Sequence, residues 1–450
     1  MTVDVTVVVP VYNTLPYLTS CLDSLVGQTI GHERMQVVAV DDGSTDGSGA
    51  ELDRYAAAHP QLFTVIHQEN SGGPARPCNV GLDAATGRFV FFLGADDRLG
   101  VEALDRMVTK ADEWGSDVLC ARLVGTDGRW VNQRLFRQTD PDVPFPSRIL
   151  ASGLSNTKLF RRSVLEEHGI RYPEGLRIGS DQPFTIEAML HAQRVSVLAD
   201  YEYYYAVRRE DAQNLTYSSP WRTRLADMTT IVAHIARLLG PGEGRDQILA
   251  RHLSGELARL LRVDFGALPA EEQAELVAGV AAVAEEHLTP AIEAELKVLA
   301  RLRYVLARQG RLDDLRALVG AEDRPIPLRF DGDDVLIEVP GLVDELPRAM
   351  FVGTHEPLRS QLAAAIGEVH LSWDGPRLRL RATTLLTGDV VARVTLGKLV
   401  EGASRDARQY SRADAGSTVW PMQPASLDAD GVLEAELDLG GLLADHDVHA

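Results

Sequence analysis

The first half of the chain alternates short apolar runs with segments whose apolar residues recur every three or four positions. Val3–Val9 is rich in β-branched residues and predicts a strand stopped by Pro10. Leu18, Cys21, Leu22 and Leu25 then follow helical spacing up to Gly27, which predicts a helix from about Pro16. The alternation repeats, with strands at Gln36–Val40, Phe63–His67, Phe89–Leu93 and Asp117–Leu123. Helices are predicted between them: one ending at Ala58, one over Pro77–Ala85 and one over Val101–Trp114. Phe89–Leu93 is apolar throughout, as befits a strand covered on both faces. Strands and helices in strict alternation argue for an α/β fold with a mostly parallel sheet.

The pattern loosens after Arg129, where Pro141, Pro144 and Pro146 mark an irregular segment expected to cover a pocket. A short strand at Thr157–Phe160, a helix around Val164–His168, a helix over Asp181–Leu190 and strands at Val195–Leu198 and Tyr201–Val207 complete this region. From Trp221 to about Ala321 the chain is rich in Ala, Leu, Glu and Arg, and reads as four or five amphipathic helices. From about Arg324 the period changes to two, as in Arg377-Leu-Arg-Leu-Arg381, which predicts a small antiparallel β-domain of sandwich type. The expected partition is therefore 1–218, 219–323 and 324–450. The last stretch, Gly431 onward, reads as a β-domain cut part-way into a strand.

Composition narrows the function classes. At 450 residues, with 45% hydrophobic and 24% charged residues, the chain reads as a soluble protein of several domains. A formal charge of −20 argues against nucleic acid as a partner and against a basic membrane-binding face. Cys21, Cys78 and Cys120 are too few and too scattered for a disulfide framework or a zinc site, so a reducing cytoplasm is the expected compartment. No apolar run is long enough to span a bilayer, and a peripheral place at the inner face of the membrane stays open.

The chemistry concentrates where strands end. Asp96 and Asp97 follow the run Phe89–Leu93 and place two hard oxygen donors at a strand's carboxyl end, the edge where open α/β sheets bind ligands. A divalent cation, Mn²⁺ or Mg²⁺, held there would hold a diphosphate in turn. Gly72-Gly73 lets the backbone approach a phosphate closely, and the following helix presents free N–H groups nearby.

Taken in order, Val7-Val-Val-Pro-Val-Tyr-Asn13, Val40-Asp-Asp-Gly-Ser-Thr-Asp-Gly-Ser48, Asn70-Ser-Gly-Gly-Pro74, Ala84-Ala-Thr-Gly-Arg88 and Phe92-Leu-Gly-Ala-Asp-Asp97 resemble a family 2 glycosyltransferase of the GT-A fold. The layout, with a helical linker and a C-terminal β-domain, resembles bacterial enzymes that glycosylate wall teichoic acid and similar polymers. The resemblance implies that Pro10, Tyr12, Asp42, Asn70, Gly72, Gly73, Arg76, Asp96, Arg208 and Arg209 bind the nucleotide-sugar, with Tyr12 against the base and Asp42 on the imide of a uracil. It further implies Asp96 and Asp97 as metal ligands and Asp181 as general base for the acceptor hydroxyl. Three positions depart from the pattern. Gly94 stands where an Asp usually leads the acidic motif, Cys78 where an Arg precedes Asn79-Val-Gly81, and Ser180 where a Glu precedes the base.

The expected activity is inverting transfer from a nucleotide-diphospho-sugar, a UDP-sugar, to a cell-wall polymer, polysaccharide or lipid-linked acceptor. The C-terminal β-domain is an expected site of homo-oligomerisation. The alternative is a catalytically impaired scaffold protein of the same fold. A nucleotidyltransferase would need a glycine-rich basic loop after the first strand, and Pro10-Val-Tyr-Asn-Thr-Leu-Pro16 has neither Gly nor Lys.

Overall fold

A computed structural model describes residues 2–209, 219–322, 324–331, 333–353, 365–374, 377–388, 392–394, 423–427 and 430–438. Asn214–Thr216, Trp420 and the 439–450 tail lie outside the described residues. The chain divides into two compact units, Met1–Leu296 and Lys297–Ala450. That division follows packing and falls inside the helical region, whereas the sequence partition follows composition.

The first unit contains β1 (Val5–Val11), β2 (Met35–Asp41), β3 (Phe63–His67), β4 (Phe89–Phe92), β5 (Arg98–Leu99), β6 (Val118–Ala121), β7 (Leu123–Thr126), β8 (Leu159–Arg161), β9 (Val195–Leu198) and β10 (Tyr204–Val207). Seven of them form one sheet in the order β3-β2-β1-β4-β8-β6-β9. Only β8 runs antiparallel to its neighbours, so the sheet is mostly parallel as expected. Both faces are covered. Val5, Val7 and Val9 pack with Leu18, Leu22, Leu52 and Met107 on one side, and Val8, Val90 and Phe92 pack with Leu82, Phe160 and Phe184 on the other. This two-sided burial is why the strands read as unbroken apolar runs.

Two strand expectations need correction. Pro10 does not stop β1, because β4 pairs only with Val5–Val8, so the missing N–H of Pro10 costs no ladder bond on that side. The run Asp117–Leu123 is two strands rather than one. Near Arg122 the chain leaves the main sheet, and β7 joins β10 and β5 in a second, three-stranded sheet. Periodicity cannot show such a handover, since both halves are apolar.

Gly81, on the helix Ala75–Asp83, sits so close to β1 that an added Cβ would meet Val8 Cγ1 at 2.3 Å. Gly81→Ala is therefore expected to cost about 1–3 kcal/mol by overpacking. Chemical denaturation checks it; an unchanged midpoint would mean that the helix can retreat from the sheet.

After β10 the first unit continues in helices Trp221–Leu239, Glu243–His252, Ala270–His287 and Pro290–Glu295. The second unit holds helices Val298–Arg308 and Leu312–Ala321, then β11 (Leu328–Asp331), β12 (Asp334–Ile337), β13 (Ile366–Asp374), β14 (Arg377–Thr384), β15 (Leu386–Gly388), β16 (Ala392–Val394), β17 (Gln423–Leu427) and β18 (Val432–Asp438). They form a three-stranded sheet, β12-β11-β15, and a five-stranded one, β13-β14-β18-β17-β16. The expectation of purely antiparallel pairing fails at β11 and β15, which run parallel. The period of two in β14 is observed: Leu378 and Ala382 are buried, while Arg379 and Arg381 face Glu436 and Glu434 across β18.

Candidate active site

The order β2-β1-β4 places Asp42, Tyr12 and Gly94–Asp97 side by side beyond the carboxyl ends of three adjacent strands. Pro10 lies in β1 opposite Val40, and Tyr12 just beyond the strand is 49% exposed, which leaves its ring face open. Asp42, by contrast, is buried. Its carboxylate accepts from Gln68 Nε2 at 2.5 Å and from Ser71 Oγ at 2.9 Å and N at 3.1 Å. Those bonds tie the end of β2 to the loop Asn70–Gly73. In that loop Asn70 Oδ1 accepts from Gly72 N at 2.9 Å, and Gly72 has φ +83°, where a side chain would be strained.

Asp41 plays a local part. It accepts from Ser44 N at 3.0 Å and contacts His67 Nδ1 at 2.9 Å, while His67 Nε2 reaches Asp53 at 3.0 Å. The bonds to Asp41 and then Asp53 raise the His67 pKa. A raised histidine stabilises the fold below its ordinary value of 6.5, and the gain is lost as pH rises through the raised value. His67→Gln should thus cost more stability near pH ~6 than near pH ~8.5, by less than about 1 kcal/mol because the ring is half-exposed. Thermal melts at the two pH values test it; an equal cost at both removes the charge from the account.

Asp96 and Asp97, a pair in sequence, have different surroundings. Asp97 is buried, accepting from Val207 N at 2.7 Å, from Arg129 Nη1 at 3.4 Å and from the Tyr204 hydroxyl. Burial, then the charge of Asp96, push its pKa up to about 6. Asp96 is half-buried, has no hydrogen-bond partner among the described residues and lines a cavity of about 330 Å³ with Asp97, Tyr17, Ser20, Asp127 and Arg208. Both acids border the cavity, but only the Asp97 oxygens are engaged by described residues, and they brace the turn against β10. Gly94 is accounted for as well. Its N–H donates to Tyr204 Oη at 3.3 Å, and an added Cβ would lie 2.9 Å from Asp97 Oδ2 and 3.2 Å from that hydroxyl. The Asp97 carboxylate, with the Tyr204 hydroxyl and Asp96 beside it, occupies the space a side chain at 94 would need.

Among the described residues no group of three or more His, Cys, Asp or Glu is arranged to hold a metal ion. A cation shared with a diphosphate needs fewer protein ligands, usually one or two carboxylates with the phosphates completing the shell. Asp96 beside Asp127 fits that donor set. Asp97, with its oxygens engaged, fits it less well than the sequence implied.

The two arginines after β10 part company. Arg208 is exposed and lines the Asp96 cavity, whereas Arg209 donates to Asn13 O at 3.2 Å and lies 5.7 Å from the Tyr17 ring centroid. Gly72, Gly73 and Arg76 line a different cavity, of about 360 Å³, with Glu174 and Arg177. Arg76 is therefore grouped with Arg177 and not with Asp96. Cys78 is fully buried, and burial raises its thiol pKa well above the ordinary range, so it is no nucleophile. Asn79 Oδ1 accepts from Tyr172 N and its Nδ2 donates to Tyr172 O, both at 2.9 Å, which pins the segment before Asp181 onto the loop helix.

Asp181 opens the helix Asp181–His191, with Ser180 at the capping position. It is not the cap, so its carboxylate is available for other work. Phe184 anchors the helix by stacking on Tyr172 at 4.1 Å and meeting Phe92 edge-on at 5.4 Å. Burial raises the Asp181 pKa, opposed by the charges of Arg251 and Lys158 and by the Asn156 backbone N–H. Strand register gives its location. Phe91 pairs with Leu159 across β4 and β8, so Asn156 and Lys158 lie beside the end of β4, the edge that carries Asp96. Lys158 is itself 2% exposed and donates to Ser155 O. Tyr204, Arg129, Asp127, Lys158 and Arg251 were all missed in the sequence, because none belongs to a recognisable motif.

The family description "Glycosyl transferase family 2" matches residues 6–169, and "Glycosyl transferase TarS linker domain" matches 223–319. The crystal structure of S. aureus TarS 1-349 in complex with UDP-GlcNAc resembles this chain with a TM-score of 0.64 at 31% identity, over 75% of this chain and 97% of that one. The chain belongs to glycosyltransferase family 2 and has the GT-A fold. Its relatives include the poly(ribitol-phosphate) beta-glucosyltransferase of Bacillus spizizenii, 37% identical over 48% of this chain and 34% of that protein. They also include the poly(ribitol-phosphate) beta-N-acetylglucosaminyltransferase TarS of Staphylococcus aureus, 38% identical over 55% of this chain and 43% of that protein. The chain thus matches less than half the length of either relative. Among the described residues no helix is long and apolar enough to cross a membrane.

Proposed function

We propose that this chain transfers a sugar from a UDP-sugar to a hydroxyl of a poly(ribitol-phosphate)-type cell-wall polymer, with inversion at the anomeric carbon. The observation that carries the reading is the placement of Asp181 among Asn156, Lys158 and Arg251, beside the sheet edge that also bears Asp96. Tyr12 and the Asp42-anchored loop receive the base. Arg208 meets the diphosphate from β10. A divalent cation, Mn²⁺ or Mg²⁺, bound through Asp96 would supply neutralising charge for the leaving diphosphate. Asp181 takes the proton of the acceptor hydroxyl, whose oxygen bonds to the anomeric carbon as the bond to the diphosphate breaks; an α-linked donor gives a β-glycoside. The relatives that transfer to poly(ribitol-phosphate) support the acceptor class, and the UDP-GlcNAc complex of TarS supports the donor class. The proposed place of action is the cytoplasm, at the inner face of the membrane.

A raised carboxylate has more proton affinity than a free aspartate, which suits a general base. Because Asp181 gains its proton at a higher pH than a free aspartate, turnover should fall on acidification from a point above the ordinary 3.8. A pH–rate profile whose acid limb sits at 3.8 or below would remove Asp181 as base. A donor screen by UDP release, with UDP-glucose and UDP-GlcNAc against poly(ribitol-phosphate), tests the activity itself. UDP binding with Mn²⁺ but no release from any donor would favour the scaffold reading.

A further inference from the structure

The loop that delivers Asp181 is held by helices that follow the nucleotide-binding core. On the upstream side, Asp227 of helix Trp221–Leu239 is 7% exposed and points one oxygen, Oδ2, at two backbone donors. Arg177 N donates to it at 3.1 Å and Ile178 N at 2.9 Å. On the downstream side, Gln182 Oε1 accepts from Arg251 Nη1 at 3.2 Å and lies 2.7 Å from His252 Nε2, both at the end of helix Glu243–His252. His252 is buried, and burial followed by the Arg251 charge keeps its pKa down at about 3, so the ring is neutral and its single N–H is directed either at Gln182 Oε1 or, from Nδ1 at 3.1 Å, at Ile248 O. Between the two ties, Gly179 has φ +72°, and a Cβ there would lie 2.9 Å from Ile231 Cδ1 of the first helix. Residues 177–182 therefore have both ends bonded to separate helices and the middle pressed against one of them.

We infer that these helices are a working part of the active centre, with Asp227 and His252 as positioning residues that set the direction of the Asp181 carboxylate. The inference rests on the reading of Asp181 as general base. Two amides on one carboxylate oxygen are charge-assisted bonds that fix both peptide planes, and the last of them lies three residues before Asp181. Gln182, next to the base, has its amide oxygen held against Arg251 and His252 of one helix. An error of about 1 Å in such a loop is enough to cost ~10²-fold in rate without touching the donor site.

The experiment uses the full chain and steady-state UDP release from UDP-GlcNAc or UDP-glucose with poly(ribitol-phosphate). Asp227→Ala should lower kcat by at least ~10-fold with the donor KM within about twofold. Asp227→Asn, whose amide oxygen can accept the same two N–H groups, should recover most of that loss. In an Asp181→Asn background, Asp227→Ala should cost nothing further, since the effect runs through the base. Gln182→Ala, cutting the downstream tie, gives an independent reading should Asp227→Ala fail to fold. Unchanged kcat in folded Asp227→Ala or Gln182→Ala overturns the inference, as does a matching loss in the Asp181→Asn background. An Asp181→Asn protein with full activity instead sinks the base assignment, and the two failures are thereby told apart.

Discussion

Asp181→Asn is expected to lower sugar transfer by ~10²–10⁴-fold, leaving measurable residual activity, while UDP binding persists. A placed carboxylate that removes a proton in the transition state contributes on the order of 10²–10⁴ in rate, and the amide keeps the shape but cannot take the proton. The variant should still fold. Burial already disfavours the ionised form, so the carboxylate contributes less stability as pH rises from 3.8 through its raised pKa, and a neutral amide escapes that penalty. What the variant loses is the opposing charge for Lys158 and Arg251. UDP affinity by calorimetry and UDP release under turnover, measured on one preparation, separate the two effects. Full turnover in the variant removes the residue from the mechanism.

Asp96→Asn has the second-largest effect, and it differs in kind from Asp97→Asn. Asp96 is the half-buried carboxylate of the pair, without a hydrogen-bond partner among the described residues, so its replacement is expected to lower turnover by ~10²-fold and to abolish any response of UDP affinity to Mn²⁺. Asp97 holds Val207 N and the Tyr204 hydroxyl, and its replacement is expected to lower the unfolding temperature first. The folded pKa of Asp97, about 6, lies above 3.8, so its ionised form loses stability as pH rises through that window. The stability cost of Asp97→Asn should accordingly be larger near pH ~5 than near pH ~8. UDP titrations with and without Mn²⁺, together with melts at both pH values, check the contrast. Two variants that behave alike in both assays would undo the division of roles.

The sheet was legible because its strands are buried on both faces, and a run such as Phe89–Leu93 has few other uses. The handover at Arg122 and the two-residue β5 were not, since local pattern carries no record of which partner a strand takes. Motif residues were legible as a set. Their individual duties were less so: Asp42 anchors a loop through Ser71, and Asp97 braces a strand through Tyr204, although each sits in the expected motif. Arg76 and Arg208, read together as cations for one diphosphate, line separate cavities. The surroundings of Asp181 were invisible for a plainer reason. Lys158, Asp227 and Arg251 are far apart in sequence and meet only through the antiparallel insertion of β8 and the packing of the later helices.

The stereochemistry of the product tests the central claim most directly. In the proposed reaction Asp181 activates the acceptor hydroxyl for a single in-line displacement of the diphosphate, which inverts the anomeric carbon. Nuclear magnetic resonance of the sugar linked to poly(ribitol-phosphate) from an α-linked UDP-sugar should show only the β-anomer. An α-linked product would contradict the account, because Asp181 could not then be the group that activates the attacking hydroxyl.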